Sequence, residues 1–311
     1  AGRALAEWIV NGSPTTDLTG VDIRRFAPFN GNVAWLHDRV AEVLGVHYEI
    51  PWPNRELTTA RPFRRSPVHH LLVAANANFG SRMGWERANF FAPPGTEPVI
   101  EYSWGKQNWL DWSAAEQLNT RTGVTVFDQT SFSKYLLAGP DAERALQWLC
   151  TADVAVPVGR SVYTGMLNER GTYESDVTVT RTGATEFLIV SSAATTERDK
   201  DHITRNMPAG ARAELVDVTS ALAVFGVMGP RSRDLLAALT DADLSDAAFP
   251  FGTSRLIALG YATVRATRIT YVGELGWELY VPAEFAVGVY EDLLRVGERF
   301  GVGRGGYYAI E

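Results

Sequence analysis

A tyrosine and an aspartate lie at the two ends of a segment that has the pattern of a β-hairpin. The segment runs from Tyr163 to Asp176 and has Gly171 near its turn, so its ends lie thirteen positions apart on opposite arms. Aspartate is disfavoured in strands, yet Asp176 leads directly into the strand-like residues 177–180. A hydroxyl beside a carboxylate is suited to proton transfer or ligand binding. Periodicity alone favours a plainer interpretation, in which Asp176 only forms a hydrogen bond within the turn.

A second segment places carboxylates among glycines and bulky apolar residues. Residues 268–280 read Arg-Ile-Thr-Tyr-Val-Gly-Glu-Leu-Gly-Trp-Glu-Leu-Tyr, and Glu278 stands between Trp277 and Leu279. A carboxylate in such a strand either faces solvent by alternation or is buried with a partner, because an unpaired buried charge is strongly unfavourable. Alternation is the plainer interpretation, and it gives Glu278 no function.

Other catalytic signals are missing. No Gly-x-Gly-x-x-Gly follows a strand, and there is no phosphate-binding loop and no Gly-x-Ser-x-Gly elbow. The glycine-rich residues 301–306 follow a predicted helix, so we interpret them as helix termination and loop. The single cysteine, Cys150, excludes an intrachain disulfide and a cysteine-based zinc site, and its helical context fits a small buried hydrophobe. We expect no metal site, because apart from one adjacent pair no histidines have ligand-like spacing: His37, His47, His69, His70 and His202.

The composition is that of an ordinary globular protein. The chain has 311 residues, of which 46% are hydrophobic and 21% charged, with a net charge of −7. This length suggests about two domains. The lack of a Lys/Arg-dense stripe argues against a nucleic-acid partner, and no stretch approaches the roughly twenty apolar residues that cross a membrane. Residues 1–10 lack the basic start of a targeting peptide and predict an amphipathic helix.

Strand and helix patterns alternate along the rest of the chain. Helical spacing is found at 1–10, 33–45, 67–83, 142–149, 231–239 and 284–300, and 306–311 look like the start of another helix. Strand patterns are found at 124–127, 134–137, 161–167, 176–180, 187–190, 223–228, 262–271 and 277–281. Three prolines in residues 92–98 indicate a linker. Mixed elements with many hairpins predict an α+β fold instead of a doubly wound parallel sheet.

These segments resemble a known family. The Tyr163–Asp176 hairpin and residues 271–278 resemble the folate-binding core of the glycine-cleavage T protein, and they are closer still to the C-terminal half of sarcosine and dimethylglycine dehydrogenases. Further similar stretches are 5–10, 22–26, 84–87, 126–134, 226–230 and 248–253. The resemblance runs essentially from end to end. It implies a T-protein-like α+β fold of mixed sheets with packed helices, preceded by a small connecting domain.

The resemblance also implies roles for four residues. Asp176 matches the acidic catalytic residue near the reactive nitrogens of tetrahydrofolate, and Tyr163 matches the tyrosine beside it. Glu278 matches the carboxylate that binds the pterin ring, and Tyr271 matches a further aromatic residue of the folate pocket. This fits simple chemistry, because a carboxylate can accept a two-pronged hydrogen bond from the adjacent N–H and amine of a pterin.

By the same resemblance, the chain divides into three parts. Residues 1–30 match the tail of a truncated FAD-dependent oxidoreductase domain, 31–97 a central connecting domain, and 98–311 an aminomethyltransferase-like folate domain truncated at its C-terminal end. We therefore expect tetrahydrofolate as the ligand of this chain, with FAD bound in the intact protein but not by these residues. The implied enzyme oxidises sarcosine or dimethylglycine and passes the carbon of the imine or formaldehyde to tetrahydrofolate, which gives 5,10-methylenetetrahydrofolate. It acts on small molecules, without nucleic-acid or membrane partners.

Two points limit the resemblance. Relatives carry two glycines in the hairpin turn, whereas here Thr172 follows Gly171, and Thr172 would be strained if that position needs a positive φ. A non-catalytic protein on the same scaffold, like the regulatory subunit of pyruvate dehydrogenase phosphatase, is the alternative, and residues 157–159 and 164–169 also resemble it. The Ala-, Arg- and Gly-rich composition favours a bacterial source. The resemblance implies that the protein is cytoplasmic if it is bacterial and mitochondrial if it is eukaryotic.

Overall fold

The structure, a computed structural model, describes residues 1–12 and 14–310. Its α-helices are α1 (Gly2–Asn11), α2 (Val33–Val46), α3 (His69–Ala74), α4 (Leu110–Thr122), α5 (Ala142–Leu149), α6 (Thr196–Asn206), α7 (Ser232–Ala237), α8 (Ala286–Gly297) and α9 (Tyr307–Ile310). Its strands are β1 (Ala77–Arg82), β2 (Trp85–Phe91), β3 (Val124–Asp128), β4 (Ser133–Ala138), β5 (Ser161–Leu167), β6 (Tyr173–Gly183), β7 (Glu186–Ser191), β8 (Glu214–Asp217), β9 (Leu222–Met228), β10 (Ser254–Leu259), β11 (Ala262–Thr267), β12 (Gly276–Pro282) and β13 (Val302–Gly305).

The strands of the described residues form a hairpin and two larger sheets. The hairpin pairs β1 with β2, one sheet has the order β10-β11-β12-β9-β3-β13, and the other has the order β5-β6-β7-β4-β8. All neighbours are antiparallel except β13 and β3, which run parallel. Mixed sheets with helices packed on their outer faces confirm the predicted α+β class.

Each sheet buries one face against helices. Trp277 and Leu279 of β12 share a buried cluster with residues of α7 and α8, and Val177 and Val179 of β6 share another with residues of α5 and α6. Side chains alternate along a strand, so the residues between these positions point to the opposite face.

Those opposite faces of the two sheets meet. Leu188 of β7 lies in one buried cluster with Val224 of β9 and Tyr280 of β12. The layers are therefore helices, sheet, sheet and helices. We call the region between the two sheets the inter-sheet space. Asp176 and Glu278 both occupy strand positions that face it.

Two sequence interpretations are wrong. The helix predicted at 67–83 ends at Ala74, because Asn76 adopts a left-handed φ of 66° and the following residues pair with β2. The glycine-rich residues 301–306, interpreted as loop, contain β13. A side chain at Gly305 would place its Cβ 2.1 Å from the Phe127 ring, so glycine serves close strand packing there.

The other predicted elements are found with shifted ends. The strand predicted at 262–271 stops at Thr267, which leaves 268–275 as a loop. Strands β2, β8 and β10 and helices α4 and α6 were not predicted. The helix expected from residue 306 is α9, although Glu311 lies outside the described residues. Residues 92–98 contain no helix or strand, as their prolines predicted.

Candidate active site

The predicted tyrosine–aspartate pair is formed. Tyr163 Oη donates a hydrogen bond to Asp176 Oδ2 over 2.9 Å. In the hairpin register Asp176 lies opposite Gly165 and Tyr163 lies opposite Thr178, so the two side chains are diagonal neighbours on one face. Both are exposed, and 65% of the Tyr163 surface remains accessible. The hydrogen bond to Asp176, aided by partial burial, raises the pKa of Tyr163 to about 12, so this hydroxyl keeps its proton at neutral pH.

A second tyrosine joins the pair because the hairpin contains a bulge. Leu167 pairs with Tyr173, and the extra residue Glu174 shifts the alternation so that Tyr173 lies on the same face as Asp176. Its ring covers Gly165, where a Cβ would lie 2.7 Å from Tyr173 Cζ. Tyr173 was not predicted as a site residue, because simple alternation places it on the other face from Asp176.

The turn itself accommodates threonine. Gly171 has a φ of 73°, whereas Thr172 is not among the residues with a positive φ. Asn168 closes the turn by accepting from the backbone N–H groups of Arg170 and Thr172. The strain foreseen for Thr172 is therefore absent.

Tyr271 extends the aromatic wall of the site. It lies in the loop before β12, and its ring centroid is 6.2 Å from that of Phe132. Tyr307 stacks on Phe132 with a centroid distance of 6.5 Å and shares a 3.0 Å hydrogen bond with Ser131. The Tyr271 hydroxyl is close enough to Tyr163 to contribute to its raised pKa. Phe132 and Tyr307 were missed as site residues, since nothing in their sequence context marks them.

Glu278 lies deeper in the inter-sheet space. It accepts a 2.6 Å hydrogen bond from Tyr280 Oη, and burial raises the pKa of its carboxyl. The side chain nevertheless keeps partial contact with solvent. Glu278 is therefore largely enclosed by protein, at a position that we call the Glu278 recess, and does not lie on the open surface that plain alternation predicted.

A buried lysine lies within electrostatic reach of this carboxylate. Lys134 is fully buried, donates from Nζ to the carbonyl of Thr130 over 2.7 Å, and lowers the pKa of Glu278 against the effect of burial. Burial in turn lowers the pKa of Lys134 to about 7. Asp128, whose pKa is raised by burial, accepts from Ser66 and Thr130 and is the charge that most supports protonated Lys134. Asp128 and Lys134 were not predicted as a pair, although a lysine inside an apolar strand is a recognisable sign of a buried charge.

The structure thus brings three of the four predicted site residues close together. Tyr163 and Asp176 are in contact, and Tyr271 lies near Tyr163, whereas Glu278 lies on the facing sheet and has no hydrogen bond to these three among the described residues. A cavity of about 300 Å³ lies beyond Tyr280, lined by residues such as Leu188, Leu222 and Arg265, and none of the four predicted residues lines it.

Two other features of the described residues bear on the chemistry. The described residues contain no group of three or more His, Cys, Asp or Glu side chains arranged to hold a metal ion. None of the helices that they form is long and apolar enough to cross a membrane. Cys150 is buried and its pKa is raised to about 12 by burial, which confirms its interpretation as a small hydrophobe.

Comparison with known protein families decides the assignment. The GCVT N-terminal domain matches residues 68–311, and the FAD dependent oxidoreductase central domain matches residues 11–66. The chain belongs to the GCVT N-terminal domain family. The expected resemblance to the T protein and its dehydrogenase relatives is thereby confirmed.

Individual relatives of this GCVT-family chain are longer proteins. It is 40% identical to 4-methylaminobutanoate oxidase (formaldehyde-forming) of Paenarthrobacter nicotinovorans and 34% identical to the mitochondrial sarcosine dehydrogenase of Homo sapiens; each match covers 100% of this chain and 38% of the relative. It is also 33% identical to the mitochondrial pyruvate dehydrogenase phosphatase regulatory subunit of Mus musculus, over 100% of this chain and 36% of that protein. The chain therefore spans little more than a third of these relatives.

The fold of the GCVT-family chain matches a solved T protein. The glycine cleavage system aminomethyltransferase T of Bartonella henselae superposes with a TM-score of 0.64 at 23% identity, covering 80% of this chain and 61% of that one. This likeness establishes the fold, and it confirms the predicted T-protein-like arrangement of mixed sheets with packed helices.

Proposed function

We propose that this chain is the tetrahydrofolate-binding, one-carbon-transfer part of an FAD-dependent N-demethylating oxidoreductase. The observation that carries the proposal is the exposed Tyr163–Asp176 pair, which has Tyr271 nearby and lies on the face of its sheet that is turned toward the sheet of Glu278. A flat heterocycle between the sheets would contact an acid at each end. The product would be 5,10-methylenetetrahydrofolate.

Asp176 is the proposed catalytic base. A folate nitrogen that forms a bond to the imine or formaldehyde carbon becomes positively charged and has to lose a proton. The second folate nitrogen then closes the methylene bridge as the demethylated amine, or water in the case of formaldehyde, leaves that carbon. An exposed carboxylate, held in place by the Tyr163 hydroxyl, can accept that proton and stabilise the positive charge while it develops. The rings of Tyr163, Tyr173 and Tyr271 would cover the ligand and exclude water from the reacting atoms.

Glu278 is the proposed pterin-binding residue. One of its oxygens already accepts from Tyr280, which fixes the orientation of the carboxylate. The ionised group can accept from the ring N–H and the exocyclic amine of a pterin together. Lys134 helps to keep Glu278 ionised in spite of the surrounding protein.

The rest of the enzyme is proposed from its relatives. FAD would be bound by the intact protein outside this chain and would supply the oxidation, and the substrate would be a small N-methylated amino acid such as sarcosine or dimethylglycine. Relatives include a bacterial and a mitochondrial protein by name, so we propose a cytoplasmic enzyme if the source is bacterial and a mitochondrial one otherwise. Nucleic acid and membrane are not proposed as partners.

The division into domains is also a proposal. The sequence predicts boundaries near residues 30 and 97, and we propose to move the second of these toward the N-terminus. Residues Val68, Leu72, Ala77 and Ala88 lie in the same buried cluster as Trp277. Because these contacts join the β1–β2 hairpin to the sheet of β12, we propose that the folate domain begins near residue 68.

The test replaces Asp176 in the intact protein. In Asp176→Ala, the folate-dependent product should fall by roughly 100-fold or more, the range for loss of a general base, while flavin reduction by the amine stays unchanged. Asp241→Ala, at an exposed position, is the control. Equal loss of both activities would contradict the role given to Asp176.

The alternative is a regulatory protein on this scaffold, which the similarity to the phosphatase regulatory subunit favours. The two functions separate in a titration of the intact protein with tetrahydrofolate, followed by tryptophan fluorescence. Saturable binding that is lost in Glu278→Gln supports the enzyme. No binding by the folded protein supports the regulatory alternative.

A further inference from the structure

Gln129 is a buried amide without a partner. It follows β3, and its backbone N–H donates to the Val224 carbonyl over 2.8 Å, which fixes the residue between β3 and β9. Its side chain is only 1% exposed, and neither Oε1 nor Nε2 has a hydrogen-bond partner among the described residues. Leaving both atoms unpaired is unfavourable, so a buried orphan of this kind calls for a ligand or a trapped water.

The amide lies beside the recess of Glu278. A Cβ at Gly226 would lie 2.6 Å from Gln129 Oε1, so the Gln129 side chain fills the space above that glycine. Gly226 is paired directly with Glu278 across β9 and β12, and paired positions share a face of the sheet. The orphan amide and the carboxylate are therefore neighbours in the inter-sheet space.

A flexible side chain lies at the same position above Gly226 as the Gln129 amide. Met228 Cε lies 3.0 Å from the same Cβ position above Gly226. Methionine is unbranched and flexible, so a ring entering the recess can displace it with little strain. Glycine at position 226 is needed for this arrangement, since any side chain would displace the Gln129 amide.

We propose that Gln129 recognises the 4-oxo group of the pterin ring by a hydrogen bond, next to the atoms bound by Glu278. This inference rests on the proposed folate function and adds a specificity residue to it. The ring edge carries, in order, an amine, an N–H and a carbonyl oxygen. Glu278 accepts from the first two, and Gln129 Nε2 donates to the third, so carboxylate and amide together match the whole edge.

The test combines a protein variant with a ligand variant. Wild type should bind tetrahydrofolate roughly ten-fold more tightly than its 4-thioxo analogue, in which sulfur, a weak hydrogen-bond acceptor, replaces the exocyclic oxygen while the amine and the ring N–H that face Glu278 remain. Gln129→Leu in the intact protein should bind both ligands equally, with the affinity that wild type has for the analogue. Gln117→Leu, at an exposed position on α4, should retain the ten-fold preference.

Thermal unfolding without ligand provides the second measurement. Gln129→Leu removes two unpaired buried atoms, so its Tm should equal or exceed that of wild type. A lower Tm with an unchanged ligand preference would show that Gln129 binds only a structural water, which overturns the proposal. If Glu278→Gln abolishes folate binding but Gln129→Leu keeps the preference, this inference fails and the folate function stands. If wild type binds neither ligand, both fail.

Discussion

Asp176 and Glu278 are both carboxylates that face the inter-sheet space, but protein surrounds them very differently. Asp176 is exposed on the hairpin of β5 and β6, with a tyrosine hydroxyl as its partner. Glu278 lies in a recess of the facing sheet, where burial raises its pKa and a buried lysine opposes that effect. An open carboxylate can exchange protons with solvent during turnover, whereas a deep one gains strength and direction as a ligand-binding group.

The difference assigns the two acids to different steps. Loss of the deep carboxylate should affect binding, and loss of the exposed carboxylate should affect the chemical step after binding. The following predictions test that separation, beginning with the largest effect.

Glu278→Gln should weaken tetrahydrofolate binding by roughly 100-fold, because a charge-assisted two-pronged hydrogen bond is replaced by a weaker neutral one. Fluorescence titration of the intact protein measures the Kd, and Glu284→Gln at an exposed position is the control. Flavin reduction should not change. If Glu278→Gln lowered only the rate of product formation at saturating folate, the assignment of the two acids would have to be reversed.

The pH dependence of tetrahydrofolate binding should reflect the raised pKa of the Glu278 carboxyl. The pKa of Glu278 is raised above its ordinary value of 4.5, and only the ionised form accepts from the pterin, so affinity should fall about ten-fold per pH unit as the pH drops through the raised pKa. Above about pH 7, Lys134 loses its proton and its support for the negative charge, so affinity should decline there too.

The variant Lys134→Met distinguishes the loss of affinity at low pH from the decline of affinity above pH 7. The variant should lose the decline above pH 7, and its acid limit should move to higher pH, because Glu278 then lacks its neighbouring positive charge. Titrations of wild type and variant across this pH range measure both. Identical pH profiles would show that Lys134 has no influence on the ligand site.

The variant Tyr163→Phe tests the contribution of the hydrogen bond between Tyr163 and Asp176. The variant keeps the ring but removes the hydroxyl that donates to Asp176, so the rate of folate-dependent product formation should fall several-fold, the scale of one hydrogen bond. The Kd for folate should change less than the rate. Tyr261→Phe is the matched control, since Tyr261 is fully exposed. A large change in Kd with an unchanged rate would make Tyr163 a binding residue only.

Sequence reasoning identified both carboxylates but could not describe their surroundings. The Tyr163–Asp176 contact followed from a hairpin, whose register is local. The depth of Glu278 depends on a second sheet that packs over β12 from a distant part of the chain, and periodicity in one strand carries no information about that. The glycines of β13 were interpreted as a loop, because the close packing of Phe127 against Gly305 depends on tertiary structure that a local sequence pattern does not reveal. Lys134 and Gln129 gained their importance only when β4 and β3 were placed beside Glu278.

The smallest expected effect concerns the position of the Tyr173 ring. A methyl group at Gly165 would collide with the Tyr173 ring, which has room to move outward because it is 60% exposed. Gly165→Ala should therefore displace the ring from the neighbourhood of Asp176, while the Tyr163 hydrogen bond remains. Because the ring only helps to exclude water, we expect a two- to three-fold rise in the Kd for folate, on the order of 0.5 kcal/mol, and flavin reduction that is unaffected. Tyr173→Ala should give the same change in Kd, and the double variant should give no further loss, since both substitutions remove one and the same contact. Additive losses would mean that Gly165 itself, and not the ring above it, contacts the ligand.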